Sequence, residues 1–310
     1  MITGVVLARS VGGYRVHTPE GECNAVLRGK LKLPDDDRVV AGDLVDVVLH
    51  GDGPATIERV HARRSVLARR RASGAGGARR AQPIAANLDQ VLVVAAARDP
   101  EPTPRMLDRF LIIAEANGLP AALVVNKVEL DPAPAERLRR RYARAGYQVL
   151  ATSVKALEGL PALRDLLRGR ATVFTGASGV GKSSLLNVLE PGLKLRIGAI
   201  SEKWRTGMHT TRAAELVPLA LGGYVVDTPG MREVGTWGIA PEELGACFPD
   251  FRPYLDTCRF DNCRHLAEPG CGVRQAVAAG ELEADRLVSY ERIYEEISVP
   301  SWSSDRRRES

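Results

Sequence analysis

Aromatic residues, long apolar segments and cysteines are all scarce in this 310-residue chain. Aromatic residues make up 5% of the sequence and apolar residues 45%, so the cores should consist mainly of aliphatic side chains. The longest apolar runs, such as Val91 to Ala97, are too short to cross a bilayer, and the first residues do not have the pattern of a signal peptide. We therefore expect a cytoplasmic protein without a membrane partner, and we expect it to be a monomer.

A strong excess of one sign of charge is also missing, because the net charge is +5 and the pI is about 9.0. This mild basic excess is compatible with a nucleic-acid partner without establishing one. The segment from position 69 to 80 lacks apolar periodicity and is expected to be a mobile loop, either a solvated linker or an arm that becomes ordered on RNA phosphates. Its arginines are Arg69, Arg70, Arg71, Arg79 and Arg80.

Residues 2–67 alternate short apolar segments with turn residues, which predicts five β-strands. Five strands in about sixty residues favour a small barrel, with the OB-fold as the leading interpretation. An SH3-like barrel or an unspecialised β domain is the alternative, because a strand count does not fix topology. The predicted strands are Gly4–Ala8, Tyr14–Thr18, Glu22–Leu27, Asp43–Leu49 and Ala55–Val60.

From Asn87 onward, strand-like runs alternate with helical patterns, which predicts a mainly parallel sheet with helices on both faces. Ligands bind beyond the carboxyl ends of the strands in such sheets. The predicted strands are Val91–Ala96, Ala121–Val125, Tyr147–Ala151 and Ala171–Thr175. The first predicted helix has Thr103 as its cap and Pro104 in its first turn and is stopped by Asn117-Gly118, and the others are Pro134–Ala145, Leu157–Arg168 and Lys182–Leu189.

A phosphate loop lies between the last of these strands and helices and fits G-x-x-x-x-G-K-[ST] at every fixed position. Its glycines let backbone N–H groups surround phosphate oxygens, and the helix N-terminus adds its positive end. Lys182 is predicted to reach the β- and γ-phosphates, and Ser183 is predicted to ligate Mg²⁺. The predicted nucleotide-binding residues here are Gly176, Ala177, Ser178, Gly179, Val180, Gly181, Lys182, Ser183 and Ser184.

An Asp-Thr-Pro-Gly sequence at 227–230 follows the hairpin-like segment Leu216 to Val226. Asp227 is predicted to contact Mg²⁺, commonly through water, and Gly230 is predicted to donate its backbone N–H to the γ-phosphate. A D-x-x-G match alone is weak, but its position after a phosphate loop makes it informative.

A switch segment is predicted at 207–211, between the phosphate loop and Asp227. Either Thr210 or Thr211 would complete the Mg²⁺ shell, and ordinary loop residues are the alternative. His209 has two open roles, a contact to the attacking water or a structural one. Met231 stands where Ras-like enzymes carry a glutamine that orients water, so intrinsic hydrolysis should be slow and accelerated by a partner.

A guanine-reading element, Asn126-Lys127-Val128-Glu129, precedes the phosphate loop, whereas ordinary GTPases have the opposite order. A carboxylate at position 129 would accept hydrogen bonds from the ring N1–H and exocyclic amine of guanine, which adenine does not offer. Glu129 occupies a position where Asp is usual, so the carboxylate has a longer reach. The supporting loop is Ser153-Val154-Lys155, which resembles S-A-K.

A metal site is predicted from the spacing C-x₄-C-x-H-x₅-C, formed by Cys258, Cys263, His265 and Cys271. Three thiolates and one imidazole close a tetrahedral zinc shell without leaving a position for substrate water, so this Zn²⁺ should be structural. Free cysteines in a loop are the alternative. Two further cysteines, Cys23 and Cys247, are expected to pack as small apolar residues.

Together these motifs resemble the circularly permuted GTPases, and the added barrel and Cys/His cluster resemble the bacterial small ribosomal subunit biogenesis GTPases of the RsgA type. The resemblance spans nearly the whole chain, with departures at Glu129, Val154 and Met208. It implies an enzyme that uses GTP/GDP with Mg²⁺ and holds one structural Zn²⁺. The implied partners are the 30S ribosomal subunit, 16S rRNA and other small-subunit assembly factors, and hydrolysis stimulated by the ribosome would occur late in subunit maturation.

The predicted fold class is therefore multidomain, and the domain boundaries follow the composition changes. We predict an all-β OB-fold RNA-binding domain at 1–68, a basic flexible linker at 69–83, an α/β circularly permuted P-loop GTPase domain at 84–237 and a mainly α zinc-binding domain at 238–310. Two other functions stay open at this point. One is a GTP-binding RNA scaffold with negligible hydrolysis, and the other is a permuted GTPase that acts on another RNA particle.

Overall fold

The computed structural model describes residues 1–29, 38–51, 53–70, 81–191, 214–227 and 239–298. These residues form a five-stranded barrel, a six-stranded sheet flanked by helices and a mainly helical C-terminal unit, which confirms the predicted fold class. Within these ranges, no helix has both the length and the apolar character required to cross a lipid bilayer.

The N-terminal barrel closes in the strand order β1-β2-β3-β5-β4. Pairing is antiparallel except between β3 and β5, which run parallel. Side chains of alternating residues fill the interior, including Val45, Val47 and Ile57, all of which are fully buried. The five predicted strands are confirmed with slightly different ends: β1 (Ile2–Ser10), β2 (Gly13–Thr18), β3 (Gly21–Leu27), β4 (Leu44–His50) and β5 (Gly53–Val60).

The expectation of a mobile loop at 69–80 is wrong for Arg69 and Arg70, because β6 (Val66–Arg70) and β7 (Ala81–Ala86) form an antiparallel pair. Arg69 pairs with Gln82, and Arg70 pairs with Ala81. The pair is anchored by the fully buried side chains of Leu67 and Ala85. Backbone pairing next to such an anchor does not need apolar side chains, so the pattern of the segment did not indicate strands. Arg71, Arg79 and Arg80 lie outside the described residues.

The central sheet has the order β10-β9-β8-β11-β13-β12, parallel except for β12 at one edge. Every residue of β8 is buried, as expected for a strand covered on both faces. Helices α1 and α2 pack on one face, and α3 and α4 pack on the other. The elements are β8 (Gln90–Ala96), α1 (Pro104–Ala116), β9 (Ala121–Asn126), α2 (Ala133–Tyr142), β10 (Gln148–Ala151), α3 (Leu160–Leu167), β11 (Arg170–Thr175), α4 (Lys182–Leu189), β12 (Glu215–Pro218) and β13 (Gly223–Asp227).

The C-terminal unit packs an aromatic core of Phe248, Phe251 and Tyr290 against helix α1, whose Ile112 belongs to the same apolar cluster. The Phe248 and Phe251 ring centroids are 4.9 Å apart, and each lies 5.3 to 5.4 Å from that of Tyr290. Cys247 is buried in this core and Cys23 packs against the barrel core, as predicted for both. The α-helices described here are α5 (Arg252–Leu255), α6 (Gly272–Ala278) and α7 (Ala284–Ser298).

A buried polar network joins the C-terminal unit to the central sheet domain through the carboxylate of Asp108 on α1, which has no exposed surface. Asp108 accepts hydrogen bonds from Arg286 and Ser289 of α7 and from Arg141 and Tyr142 of α2. The Arg286 guanidinium also donates two hydrogen bonds of 2.8 Å to the carboxylate of Asp250. Arg286 and Ser289 therefore supply the hydrogen bonds to Asp108 that cross between the two units, while Asp250, Arg141 and Tyr142 pair with these charged groups inside their own units.

The barrel contacts the outer hairpin of the central sheet through side chains of β2. Arg15 forms an ion pair with Glu215 of β12. His17 Nδ1 lies 2.9 Å from the hydroxyl oxygen of Tyr224 on β13, and the two rings pack edge to face. Since β13 ends at Asp227, the barrel rests on the strand that leads to the D-x-x-G element.

Candidate nucleotide site and metal centre

The sheet brings the predicted nucleotide motifs to one edge. Strands β9 and β11 both run parallel to β8, so their carboxyl ends point the same way. Asn126 is the last residue of β9, and the phosphate loop begins directly after Thr175, the last residue of β11. Asp227 ends β13, which runs parallel to β11. This edge is where ligands bind in open α/β sheets.

The phosphate loop depends on glycine at two close contacts, one with a backbone carbonyl and one with a side-chain amide. Gly176 has φ 137°, and a Cβ there would lie 2.1 Å from the Val94 carbonyl oxygen. Gly181 has φ 93°, and a Cβ there would lie 2.3 Å from the Asn126 amide nitrogen. Both values are far below van der Waals contact and both backbones are left-handed, so any side chain at these positions would displace the loop.

One hydrogen bond joins the base-reading element to the phosphate loop. The buried side-chain amide of Asn126 donates to the backbone carbonyl of Val180 over 3.0 Å. The side-chain oxygen of Asn126, Oδ1, lies 3.4 Å from the hydroxyl of Thr152, whose side chain is fully buried. Asn126 therefore fixes the distance between the two motifs, although 54 residues separate it from Val180.

The cationic and hydroxyl groups of the phosphate-loop motif lie in the first turn of helix α4. The Lys182 ammonium donates to the backbone carbonyls of Gly176 and Ala177 over 2.7 and 2.6 Å, which holds it against the loop. Ser183 and Ser184 open helix α4 with exposed side chains, while Val180 is buried behind the loop. A cation and two exposed hydroxyls thus belong to the first turn of the eight-residue helix α4, where the helix dipole is positive.

The base-reading side chains are supported by the Ser153-Val154-Lys155 loop. A hydrogen bond from the Ser153 hydroxyl lowers the pKa of the Glu129 carboxyl, and the positive charges of Lys155 and Lys127 add to this effect. Ser153 itself is fully buried, and its side-chain oxygen accepts a hydrogen bond of 2.9 Å from the backbone N–H of Ala156. Glu129 is therefore held as an exposed carboxylate that can accept hydrogen bonds.

The sequence did not predict two groups that contact the base-reading element, the backbone carbonyl of Asp99 and the side chain of Thr152. Lys127 has φ 62°, and its ammonium donates to the backbone carbonyl of Asp99 in the loop between β8 and α1. Thr152 flanks Asn126 as described above. Every residue has a backbone carbonyl, so the residue type at position 99 does not indicate this contact. Thr152 comes next to Asn126 only through strand pairing, so the spacing of motifs in the sequence does not indicate its role either. Thr210, Thr211, His209, Gly230 and Met231 lie outside the described residues, as does the side chain of Asp227.

The predicted metal ligands converge in the C-terminal unit. The ligand atoms of Cys258, Cys263, His265 and Cys271 all lie within 4.8 Å of one another. His265 Nδ1 lies 3.5 Å from the sulfur atoms of both Cys258 and Cys271. Three sulfurs and one imidazole at this separation fit a tetrahedral Zn²⁺ shell, whose bonds are about 2.0–2.3 Å long.

The electrostatics of this cluster also suit a divalent cation. Burial raises the pKa of the Cys263 thiol to about 12 and raises that of Cys271, and the neighbouring cysteines add to the rise at Cys263. Burial lowers the pKa of His265, which favours the neutral imidazole that binds metals. Gly245 lets the imidazole approach, since a Cβ there would lie 3.1 Å from His265 Nε2.

Comparison with known proteins gives a consistent result. The family described as RsgA GTPase matches residues 60–237. The small ribosomal subunit biogenesis GTPase RsgA of Gemmatimonas aurantiaca is 48% identical over 301 residues, which cover 95% of this chain and 97% of that protein. The protein of the same name from Moorella thermoacetica is 38% identical, with 93% of this chain and 94% of that protein covered.

Solved structures show the same similarity in three dimensions. YjeQ from Thermotoga maritima aligns with a TM-score of 0.78 and 33% identity, covering 96% of this chain and 98% of that one. YloQ, described as a circularly permuted GTPase, aligns with a TM-score of 0.74 and 30% identity over 96% of this chain and 95% of that one. The order of the motifs, the sheet that unites them and these similarities show that the chain belongs to the RsgA family of circularly permuted GTPases, enzymes that hydrolyse GTP.

Proposed function

We propose that this enzyme binds the 30S ribosomal subunit through 16S rRNA and hydrolyses GTP in response to the ribosome during late small-subunit maturation. The names of its relatives, which describe small ribosomal subunit biogenesis, support this function. Other small-subunit assembly factors are proposed as partners on the same particle. Ribosome assembly also implies a cytoplasmic location, and we retain the prediction that the free protein is a monomer.

The nucleotide-binding roles are proposed from the site geometry. Lys182 and the loop backbone hold the phosphates of GTP or GDP, and Ser183 supplies a hydroxyl ligand to Mg²⁺. Asn126 and Glu129 read the guanine, with Ser153 holding the carboxylate in place. The same proposal assigns Asp227 to Mg²⁺ through water, and it keeps Thr210, Thr211, His209 and Gly230 as the switch residues around the γ-phosphate.

The observation that carries this function best is the hydrogen bond between Asn126 and Val180, 3.0 Å long and buried. It joins the guanine-reading element to the phosphate loop despite the permuted order. A single pocket can therefore bind the base and the triphosphate at the same time.

The C-terminal cluster is proposed to hold one structural Zn²⁺ through Cys258, Cys263, His265 and Cys271. The bound ion would join three separate stretches of loop and neutralise the thiolates. The proposed domain ranges remain 1–68, 69–83, 84–237 and 238–310, with the qualification that strands β6 and β7 extend into both ends of the second range.

GTP turnover with and without purified 30S subunits tests the proposal. We expect slow turnover alone and a large increase with 30S subunits, while 50S subunits serve as the matched control. A larger response to 50S subunits would indicate a different RNA particle, and an equal response would contradict specificity for the small subunit. The absence of any increase would contradict stimulation by the ribosome.

A further inference from the structure

The metal-binding loop presents an exposed aromatic ring next to an arginine. Phe260 is 41% exposed, and it is the only aromatic residue among the exposed large apolar side chains in the described part of the chain. The guanidinium carbon of Arg259 lies over its ring, 5.6 Å from the centroid. An aromatic ring with a guanidinium over it forms a stacked cationic and π pair on which another flat group can pack.

The position of this pair is fixed by the surrounding loop. Arg259 and Phe260 lie between Cys258 and Cys263, two of the four clustered ligand residues. The backbone N–H of Arg259 donates to the carbonyl of Gly270 over 3.0 Å, and the Phe260 carbonyl accepts from the N–H of Cys263 over 3.1 Å. Because these bonds hold the backbone that carries the ring, little backbone entropy is lost when a partner packs on it, which favours binding.

The local charge favours a base over a phosphate as the group bound here. Arg259 is followed within two residues by the exposed carboxylate of Asp261, which offsets its positive charge. Phosphate binding requires a net positive surface, whereas stacking on an aromatic ring does not depend on the sign of charge. Unpaired bases in RNA are commonly bound by stacking on Phe and on the guanidinium of Arg.

We propose that Phe260, with Arg259 beside it, is a stacking platform for an unpaired nucleobase of rRNA. This inference rests on the proposed binding to the small subunit and adds a specific contact from the C-terminal unit. It predicts that part of the affinity for 30S subunits depends on the aromatic face of Phe260, so that an aliphatic side chain of similar size does not replace it.

Binding of the full-length, zinc-loaded protein to 30S subunits tests this platform in the presence of a non-hydrolysable GTP analogue. Phe260→Leu keeps an apolar side chain but removes the π face, so we expect affinity to fall by about 5- to 150-fold, the loss typical of one stacked base. Phe260→Trp keeps a stacking surface and should bind close to wild type. Val288→Ala, at a residue 44% exposed on α7 in the same unit, is the matched control and should have no effect.

Two further measurements separate the possible outcomes. Zinc content should be the same in every variant, and ultraviolet irradiation of the wild-type complex should cross-link the peptide containing Phe260 to an rRNA nucleotide. Wild-type affinity in Phe260→Leu, an equal loss in Phe260→Trp, or a cross-link to a ribosomal protein instead of RNA would overturn the platform while leaving the proposed function intact.

Failure of the wild-type protein to bind 30S subunits would instead refute the proposed function. The same variants would then be compared on poly(U), a single-stranded RNA, by fluorescence anisotropy. A Phe260-dependent affinity for poly(U) would support the platform independently of the ribosome, and equal or undetectable binding of all variants would refute it.

Discussion

Replacing Arg286 with methionine should loosen the C-terminal unit from the GTPase domain. Arg286 is 2% exposed and links Asp108, which is fully buried, to Asp250, which is 6% exposed. Burial alone would lower the pKa of Arg286, but its hydrogen bonds to Asp250 and the charge of Asp108 raise that pKa above its usual range. The guanidinium is therefore charged, and methionine fills a similar volume without replacing that charge.

The expected cost follows from the contacts that remain. Asp108 keeps its hydrogen bonds from Arg141, Tyr142 and Ser289, whereas Asp250 loses both of the side-chain hydrogen bonds that the described residues give it. Removing one partner of a buried ion pair usually costs about 3–5 kcal/mol. In the double variant that also carries Asp250→Leu, the loss should be smaller than the sum of the single losses, by about 0.5–3 kcal/mol.

Hydrogen exchange of the amides in α7 is a suitable assay, because a single unfolding free energy is poorly defined for a multidomain chain. We expect Arg286→Met to accelerate exchange there by about 100-fold or more, as a cost of about 3 kcal/mol implies. Arg274→Met is the matched control, since Arg274 pairs with Glu291 of the same helix while the two side chains are 42% and 33% exposed. Such exposed pairs contribute about 0–1 kcal/mol. Equal exchange rates in the two variants would refute the structural role of the buried network.

Three other changes test the two sites. Gly181→Ala should weaken binding of fluorescent GDP by about tenfold or more, because the new side chain strains the backbone and meets Asn126. Gly280→Ala is the control, since Gly280 is also left-handed but has open space around it, and this variant should bind normally. Equal binding by both variants would contradict a single pocket formed by the phosphate loop and Asn126. Glu129→Gln should lower the affinity for GTP relative to xanthosine triphosphate in competition titrations, since an amide can donate to the xanthine oxygen; an unchanged ratio would remove Glu129 from base reading. Cys263→Ser should lower zinc content below one ion per chain in a metal assay, while Cys23→Ser in the barrel should retain full occupancy; full occupancy in both would rule out Cys263 as a ligand.

The sequence was sufficient to predict those features that depend on short, contiguous patterns. The phosphate loop, the guanine-reading element and the Cys/His spacing each contain their chemistry within a few residues, and α4 begins at Lys182 as predicted. The pairing of Asp108 with Arg286 spans 178 positions, and nothing in the local pattern at either end indicates it. The β6-β7 pair was missed for a related reason, because its stability depends on Leu67 packing against a distant core.

The contacts of β2 limit how an oligonucleotide can lie on the barrel. OB-folds usually bind such ligands on the surface of their second and third strands. Here two β2 side chains, Arg15 and His17, already contact the hairpin that ends at Asp227. A strand of RNA following that usual path must compete with Glu215 and Tyr224. If the position of the hairpin differs between the GTP and GDP states, an RNA that displaces Glu215 and Tyr224 from β2 also changes the affinity for nucleotide, because energetic coupling between two sites is reciprocal.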